Sequence, residues 1–189
     1  MMYFSEKKDV VTIGALDFAI YLNAREIQNR IREVAKTIET DYVGKNPLFL
    51  VVLNGAFMFA ADLIRNMDIA CDIDFVKVSS YKGLASTGRL EVKIPNEKDL
   101  TGRHVVIVED IVDSGFTLDQ YIPVIEKQNP ETLKICTLLE KPDAAKYKVD
   151  LDYKCFQIPT KFVIGYGLDF DGAGRNLPHI YQLVDEWGR

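Results

Sequence analysis

Two uninterrupted apolar runs, Leu48-Phe49-Leu50-Val51-Val52-Leu53 and Val105-Val106-Ile107-Val108, limit the folds open to this chain more than any other feature. A strand with one wet face alternates apolar and polar residues, whereas a run without alternation suits a parallel strand covered on both faces. Helix-like spacing follows each run, at Ala56–Arg65 and at Thr117–Gln128. Upstream, Ala24–Ile38 puts Ile27, Ile31, Val34, Ala35 and Ile38 on one face of an amphipathic helix, which Gly44 and Pro47 end. Leu133–Leu139 reads as another strand, and Asp72–Ser79 as a strand with one wetter face. Strand, turn, helix and strand in that order imply right-handed crossovers and a parallel sheet with helices on its faces. The expected fold class is therefore α/β: a mostly parallel twisted sheet flanked by helices. The tail from Phe162 to Arg189, short strand-like pieces cut by Gly and Pro, is expected to cap the C-terminal edge of that sheet, where open α/β folds bind ligands.

Composition narrows the function classes. At 189 residues, with 48% hydrophobic and 27% charged residues, the chain is expected to form one soluble globular domain spanning residues 1–189. The net charge of −5 and the lack of any Lys/Arg cluster argue against nucleic acid as a partner. Cys71, Cys136 and Cys155 are odd in number and far apart, so they read as buried thiols of a reducing compartment, not as a disulfide framework or zinc site. His104 and His179 are too isolated to form a metal pair and are taken as structural. Charged residues at Glu6–Asp9 do not read as a signal peptide, and Asn54, Gly55 and Asp62 break the greasiest stretch, Leu48–Ile64. No membrane partner is expected, and the cytoplasm is the expected location.

Chemistry concentrates in Val105-Val106-Ile107-Val108-Glu109-Asp110-Ile111-Val112-Asp113-Ser114-Gly115-Phe116-Thr117. Two adjacent carboxylates stand where a buried strand ends, and a turn with Asp, Ser, Gly and Thr leads into a helix. Backbone N–H groups of such a turn, with the helix dipole, form a phosphate pocket. Ser114 and Thr117 add hydroxyl donors, and Gly115 lets the backbone come close. Glu109 and Asp110 are wrong for gripping phosphate, but suit ribose hydroxyls or Mg²⁺. An ordinary helix cap by Asp113 or Ser114 accounts for one of these polar residues, not for all of them. Neither a GxxxxGK[ST] nor a GxGxxG loop is present, which disfavours ATPase and dinucleotide readings.

This segment resembles the phosphoribosyl pyrophosphate motif of type I phosphoribosyltransferases, specifically the hypoxanthine-guanine branch, and the resemblance runs from about Leu48 to Arg175. It implies the type I phosphoribosyltransferase fold, with a small C-terminal/N-terminal hood formed mainly by the segment from about residue 140. It implies that Glu109 and Asp110 hold ribose and metal, that Asp113 to Thr117 enclose the 5′-phosphate with Phe116 contributing its backbone, and that Asp113 is catalytic, facing N7 of the purine. Lys141 matches a lysine that donates to the purine 6-oxygen; an ammonium is donor-only, whereas a 6-amino group is itself a donor. Phe162 and Val163 match the pair that stacks on the base and meets its edge. Asp169 matches a metal-side carboxylate and Arg175 a pyrophosphate-binding arginine. Asn54 and Gly55 occupy the pyrophosphate loop, with Asn54 standing where the family often has Lys, and a cis peptide is implied at that loop. Ser80 and Tyr81 begin the loop over the site, and Ser80–Arg89, poor in apolar residues, is expected to act as a lid.

The implied activity is purine salvage, with Mg²⁺ as cofactor: phosphoribosyl pyrophosphate and hypoxanthine or guanine give IMP or GMP and pyrophosphate. Family relatives imply a homodimer or homotetramer. Lys141 and Asp113 disfavour adenine as the base. A regulatory protein that uses this fold to sense phosphoribosyl pyrophosphate or nucleotide is the alternative, since fold alone does not assign activity.

Overall fold

The computed structural model describes residues 2–4, 9–80, 90–93 and 99–184. In chain order the elements are β1 (Met2–Phe4), β2 (Val10–Ile13), β3 (Leu16–Leu22), α1 (Ala24–Tyr42), β4 (Leu48–Leu53), α2 (Phe57–Arg65), β5 (Asp72–Ser80), β6 (Leu90–Lys93), β7 (His104–Val112), α3 (Phe116–Glu126), β8 (Thr132–Glu140), β9 (Tyr153–Gln157), β10 (Val163–Ile164) and β11 (Ile180–Leu183). A short 3₁₀ turn, Pro142–Ala144, follows β8.

The main sheet runs β6-β5-β4-β7-β8-β9. Its strands β5, β4, β7, β8 and β9 are parallel, and β6 is added antiparallel at one edge. The two apolar runs lie side by side at its centre, Leu48 opposite Val105 and Val51 opposite Val108. Alternate residues feed two cores: Phe49, Val51, Val106 and Val108 pack with α1 and α2, while Leu48, Leu50, Val105 and Ile107 pack with Leu118, Tyr121 and Ile125 of α3. Burial of each such side chain contributes about 1.5–3 kcal/mol, which is why neither run tolerates a polar residue on either face.

Helix α1 forms where the spacing placed it because its start is capped. Asn23 Oδ1 accepts from the N–H groups of Arg25 and Glu26 at 3.0 and 3.1 Å, and Asn23 N–H donates to Glu26 Oε2 at 2.9 Å. The structural reading of His179 gains a contact, since its Nδ1 accepts from Ala24 N–H at 2.8 Å. No described helix is long and apolar enough to cross a membrane.

The second sheet is antiparallel, β1-β2-β3-β11-β10. It is the hood, and it differs from one built mainly beyond residue 140: three of its five strands come from residues 2–22. Residues 153–157, beyond that boundary, instead extend the parallel sheet as β9. The physical reason is a separate small core. Val11, Ile13 and Phe18 from the N-terminal strands bury against Ile164, Leu177 and Tyr181, and β3 pairs with β11.

Candidate active site

Strand β7 continues past Val108, because Glu109, Ile111 and Val112 keep pairing with Thr137, Leu139 and Glu140 of β8. The two carboxylates therefore lie within the strand, not beyond its end, and its alternation separates them. Asp110 shares the face of Val106 and Val108; Glu109 shares the face of Ile107, toward α3. Glu109 is buried and its Oε2 has no hydrogen-bond partner. Burial, with Asp110 adding repulsion, pushes its carboxyl well above the usual range. Burial also pushes Asp110 up, to about 6, against the pull of a 2.8 Å bond from Ile111 N–H and of the Arg175 charge.

Beyond β7, Asp113, Ser114 and Gly115 make the turn into α3. Gly115 has φ +80, and a Cβ there would lie 2.6 Å from the carbonyl oxygen of Tyr147. Only glycine meets both demands. The turn is braced from outside: the N–H groups of Lys146 and Tyr147 both donate to Ser114 O at 3.0 Å, and the Phe116 and Tyr147 rings meet at 5.4 Å. Ser114 Oγ accepts from Phe116 N–H at 3.3 Å, so Ser114 does act locally at the helix start. A pocket of about 280 Å³ opens over this turn, lined by residues 109–118, Thr117 among them. A helix N-terminus with its N–H groups facing such a pocket suits an anion.

Asn54 and Gly55 follow β4, with a cis peptide between Leu53 and Asn54. A Cβ on Gly55 would fall 1.5 Å from Asp110 Oδ2, so this loop lies directly against the second carboxylate. A Cβ on Gly167 would in turn fall 2.1 Å from Gly55 O. Gly167 O accepts from Arg175 Nη1 at 2.7 Å, and Arg175 Nη2 pairs with Asp169 Oδ1 at 2.7 Å. Asp169 Oδ2 accepts from Gly172 N–H at 2.7 Å. Asn54, Gly55, Asp110, Asp169 and Arg175 thus gather on the α2 side of β7.

On the other flank, Lys141 stands just after β8, buried, with Nζ 2.8 Å from Asp113 Oδ2. Phe162 is 45% exposed, and its ring is held edge-on by Phe170 at 5.8 Å and tilted by Phe18 at 6.3 Å. Its neighbour Val163 is buried in the hood, opposite Gln182. Ser80 ends β5 opposite Leu90. Tyr81 and the rest of the expected lid, residues 81–89, lie outside the described residues.

The expected metal set of Glu109, Asp110 and Asp169 is divided by β7, although Glu109 and Asp110 both border the pocket over the turn. Among the described residues no group of three His, Cys, Asp or Glu is placed to hold an ion, and β7 turns Glu109 to the opposite face from Asp110. Asp110 and Asp169 do feel each other's charge. Two carboxylates on one side fit the way Mg²⁺ binds, through one or two carboxylates with waters and substrate phosphates.

Two residues escaped the sequence reading. Tyr147 walls the turn at Asp113–Gly115, and nothing local marks it. Tyr166, flanked by Gly165 and Gly167, anchors the turn that carries Asp169 and Arg175; the paired glycines were a readable sign of an unusual backbone.

Comparison with known proteins agrees with this geometry. Residues 19–171 match the family described as phosphoribosyl transferase domain. The hypoxanthine-guanine phosphoribosyltransferase of Streptococcus pneumoniae is 40% identical over 162 residues, covering 85% of this chain and 90% of that protein. The hypoxanthine-guanine-xanthine phosphoribosyltransferase of Tritrichomonas foetus is 40% identical over 167 residues, covering 88% and 91%. A crystal structure of a hypoxanthine-guanine phosphoribosyltransferase from Bacillus anthracis, with a HEPES molecule in its active site, superposes with a TM-score of 0.82 at 38% identity, covering 87% of this chain and 98% of that one.

Proposed function

The chain belongs to the phosphoribosyltransferase family, in its hypoxanthine-guanine branch, and from that membership we propose how its own residues work on phosphoribosyl pyrophosphate and a 6-oxopurine. The enzyme is a transferase of purine salvage. It moves the 5-phosphoribosyl group to N9 of hypoxanthine or guanine, giving IMP or GMP and pyrophosphate.

The turn Asp113–Thr117 binds the 5′-phosphate through its N–H groups and the hydroxyls of Ser114 and Thr117. Glu109 and Asp110 take the ribose hydroxyls. Asn54, Gly55 and Arg175 receive the pyrophosphate, with Ser80 and Tyr81 closing on it. Phe162 stacks on the base, Val163 meets its edge and Lys141 donates to the 6-oxygen. As the C1–O bond breaks, its electron pair leaves with pyrophosphate, and the N9 lone pair closes on C1. Asp113 accepts the N7 proton that the base then sheds. Arg175 is preorganised for the charge that develops on the leaving group, because it is already tied to Gly167 and Asp169. Family members use a divalent metal, and we assign Mg²⁺, held by Asp110 and Asp169 with the substrate phosphates. When bound it supplies positive charge to the leaving pyrophosphate.

The observation that carries this reading is the Lys141–Asp113 pair at the edge of the phosphate pocket. It joins a donor for a 6-oxo group to a base for N7, which adenine does not match. No observation favours the regulatory alternative. We also propose that the protein works in the cytoplasm as a homodimer or homotetramer. Phe57 on α2 and Phe75 on β5, 40% and 50% exposed, are apolar side chains available for a second copy to cover.

The test is to incubate the purified protein with phosphoribosyl pyrophosphate, Mg²⁺ and each of hypoxanthine, guanine, xanthine and adenine. Nucleotide and pyrophosphate should form in equal amounts from the first two. Preferential use of adenine, or no nucleotide from any base, overturns the reading.

A further inference from the structure

Three successive residues, Gly165, Tyr166 and Gly167, have left-handed backbone, with φ of 94, 51 and 103. Glycine adopts such angles freely; a tyrosine there is uncommon and persists only where its surroundings over-determine it. Here they do. Tyr166 is buried, and its N–H donates to Leu177 O at 2.8 Å. Its hydroxyl donates to Asp62 Oδ2 on α2 and accepts from Gln28 Nε2 on α1 at 3.0 Å. Gln28 Nε2 also donates to the same Asp62 oxygen, which closes a triangle. Burial, reinforced by the Asp62 bond, pushes the Tyr166 hydroxyl above its ordinary range, so it stays a donor.

What the triangle holds is the turn's far end. Gly167 N–H donates to Arg175 O at 2.9 Å, and Gly167 O accepts from the Arg175 guanidinium. The same residue packs on Gly55 so closely that no Cβ would fit. A shift of Tyr166 therefore moves Arg175 and Asp169 relative to Gly55 and Asp110 together. Phe162 and Lys141, on the base side, are tied in elsewhere, to β11 and to β7, through Leu183 N–H to Phe162 O and Lys141 N–H to Val112 O, both at 2.9 Å.

We propose that Tyr166, clamped by Asp62 and Gln28, is a positioning residue that sets Arg175 and Asp169 against Gly55 for the pyrophosphate group. The clamp touches neither base nor ribose. The inference rests on the pyrophosphate assignment made above for Gly55 and Arg175.

Calorimetric titration of the full chain with Mg²⁺–pyrophosphate tests it, alongside KM for phosphoribosyl pyrophosphate and for hypoxanthine. Tyr166→Phe, which removes one oxygen, should weaken pyrophosphate binding and raise KM for phosphoribosyl pyrophosphate by about tenfold, the size of one lost hydrogen bond. KM for hypoxanthine should stay within about twofold. Asp62→Asn, which keeps an acceptor, should remain near wild type, while Asp62→Ala should match Tyr166→Phe. Gln28→Leu leaves the turn's own sequence intact and should shift pyrophosphate binding in the same direction. Unchanged pyrophosphate binding in Tyr166→Phe or Gln28→Leu, whatever the melting temperature, overturns the proposal. So does an equal rise in KM for both substrates. If the wild type binds pyrophosphate but makes no nucleotide, and the variants weaken that binding, the transfer reading fails while the positioning role stands.

Discussion

Lys141 Nζ lies 2.8 Å from Asp113 Oδ2, and the two side chains are unequally buried, 8% and 52% exposed. A buried ammonium needs a partner. Asp113 supplies it, and under the proposed function the purine 6-oxygen takes a share when a base is bound. Lys141→Ala should then weaken use of hypoxanthine and guanine by about 1–3 kcal/mol in kcat/KM. Unchanged values for both bases remove Lys141 from base recognition.

Asp113→Asn keeps the shape of the turn and an acceptor for Lys141, but cannot take a proton near neutral pH. Turnover should fall by at least about tenfold. Binding of phosphoribosyl pyrophosphate, followed by calorimetry, should change little. A single-turnover rate equal to wild type would show that proton transfer to Asp113 is not part of the chemical step.

Gly55→Ala places a methyl group where Asp110 Oδ2 now lies, 1.5 Å from the ideal Cβ position. The loop and the carboxylate must separate. Displacement of a binding group by about an ångström costs on the order of 10²-fold in kcat/KM. The loss should be read with phosphoribosyl pyrophosphate as the varied substrate, with circular dichroism to confirm the fold. Wild-type kinetics would mean that neither group contacts the substrate.

Alkaline pH should destabilise the fold. Burial raises the thiols of Cys71 and Cys136, lifts Cys155 to about 12, and raises Tyr42, Tyr121, Tyr153, Tyr166 and Tyr181. In the unfolded chain these groups ionise near ordinary values, about 8.5 for Cys and about 10 for Tyr. Above those values the unfolded state binds fewer protons than the native one, so stability falls as pH rises. Cys136 and Cys155 alone give a slope of about 2–3 kcal/mol per pH unit once both thiols ionise in the unfolded state. Urea melts should be level to about pH 8 and fall from about pH 9 upward. A flat profile to about pH 11 would contradict the burial of these groups.

Chelation gives a separate check on Asp110 and Asp169. Activity should vanish in excess EDTA and return with Mg²⁺, because the proposed site binds the ion through one or two carboxylates together with the substrate phosphates. Full activity in EDTA excludes metal-assisted departure of pyrophosphate.

The centre of the fold was legible because burial on both faces leaves no room for alternation, and Leu48–Leu53 and Val105–Val108 show none. The turn after β7 was legible because its residues, Asp113 to Thr117, are consecutive. The hood's N-terminal half was not, although Leu16, Phe18, Ile20 and Leu22 alternate and Gly14 marks a turn. Its partner strand lies far along the chain, Leu22 opposite Ile180, and no local pattern announces such a pairing. The adjacent carboxylates Glu109 and Asp110 were legible, but not that the strand continues beneath them and turns their side chains to different faces while both border the pocket. The Lys141–Asp113 bond spans 28 residues and no local pattern marks it; the resemblance implied a role for each residue but not their pairing.

The pairing of β3 with β11 also orders events in time. The parallel strands from Leu48 to Gln157 are complete in one contiguous stretch, and with them the turn at Asp113–Gly115. Phe162 is fixed only when Leu183 N–H reaches its carbonyl and β11 docks on β3. A ribosome adding about 5–20 residues per second therefore delivers the whole parallel sheet seconds before the strand that completes the hood. The sheet is complete first, and the hood waits until residues 16–22 and 180–183 meet.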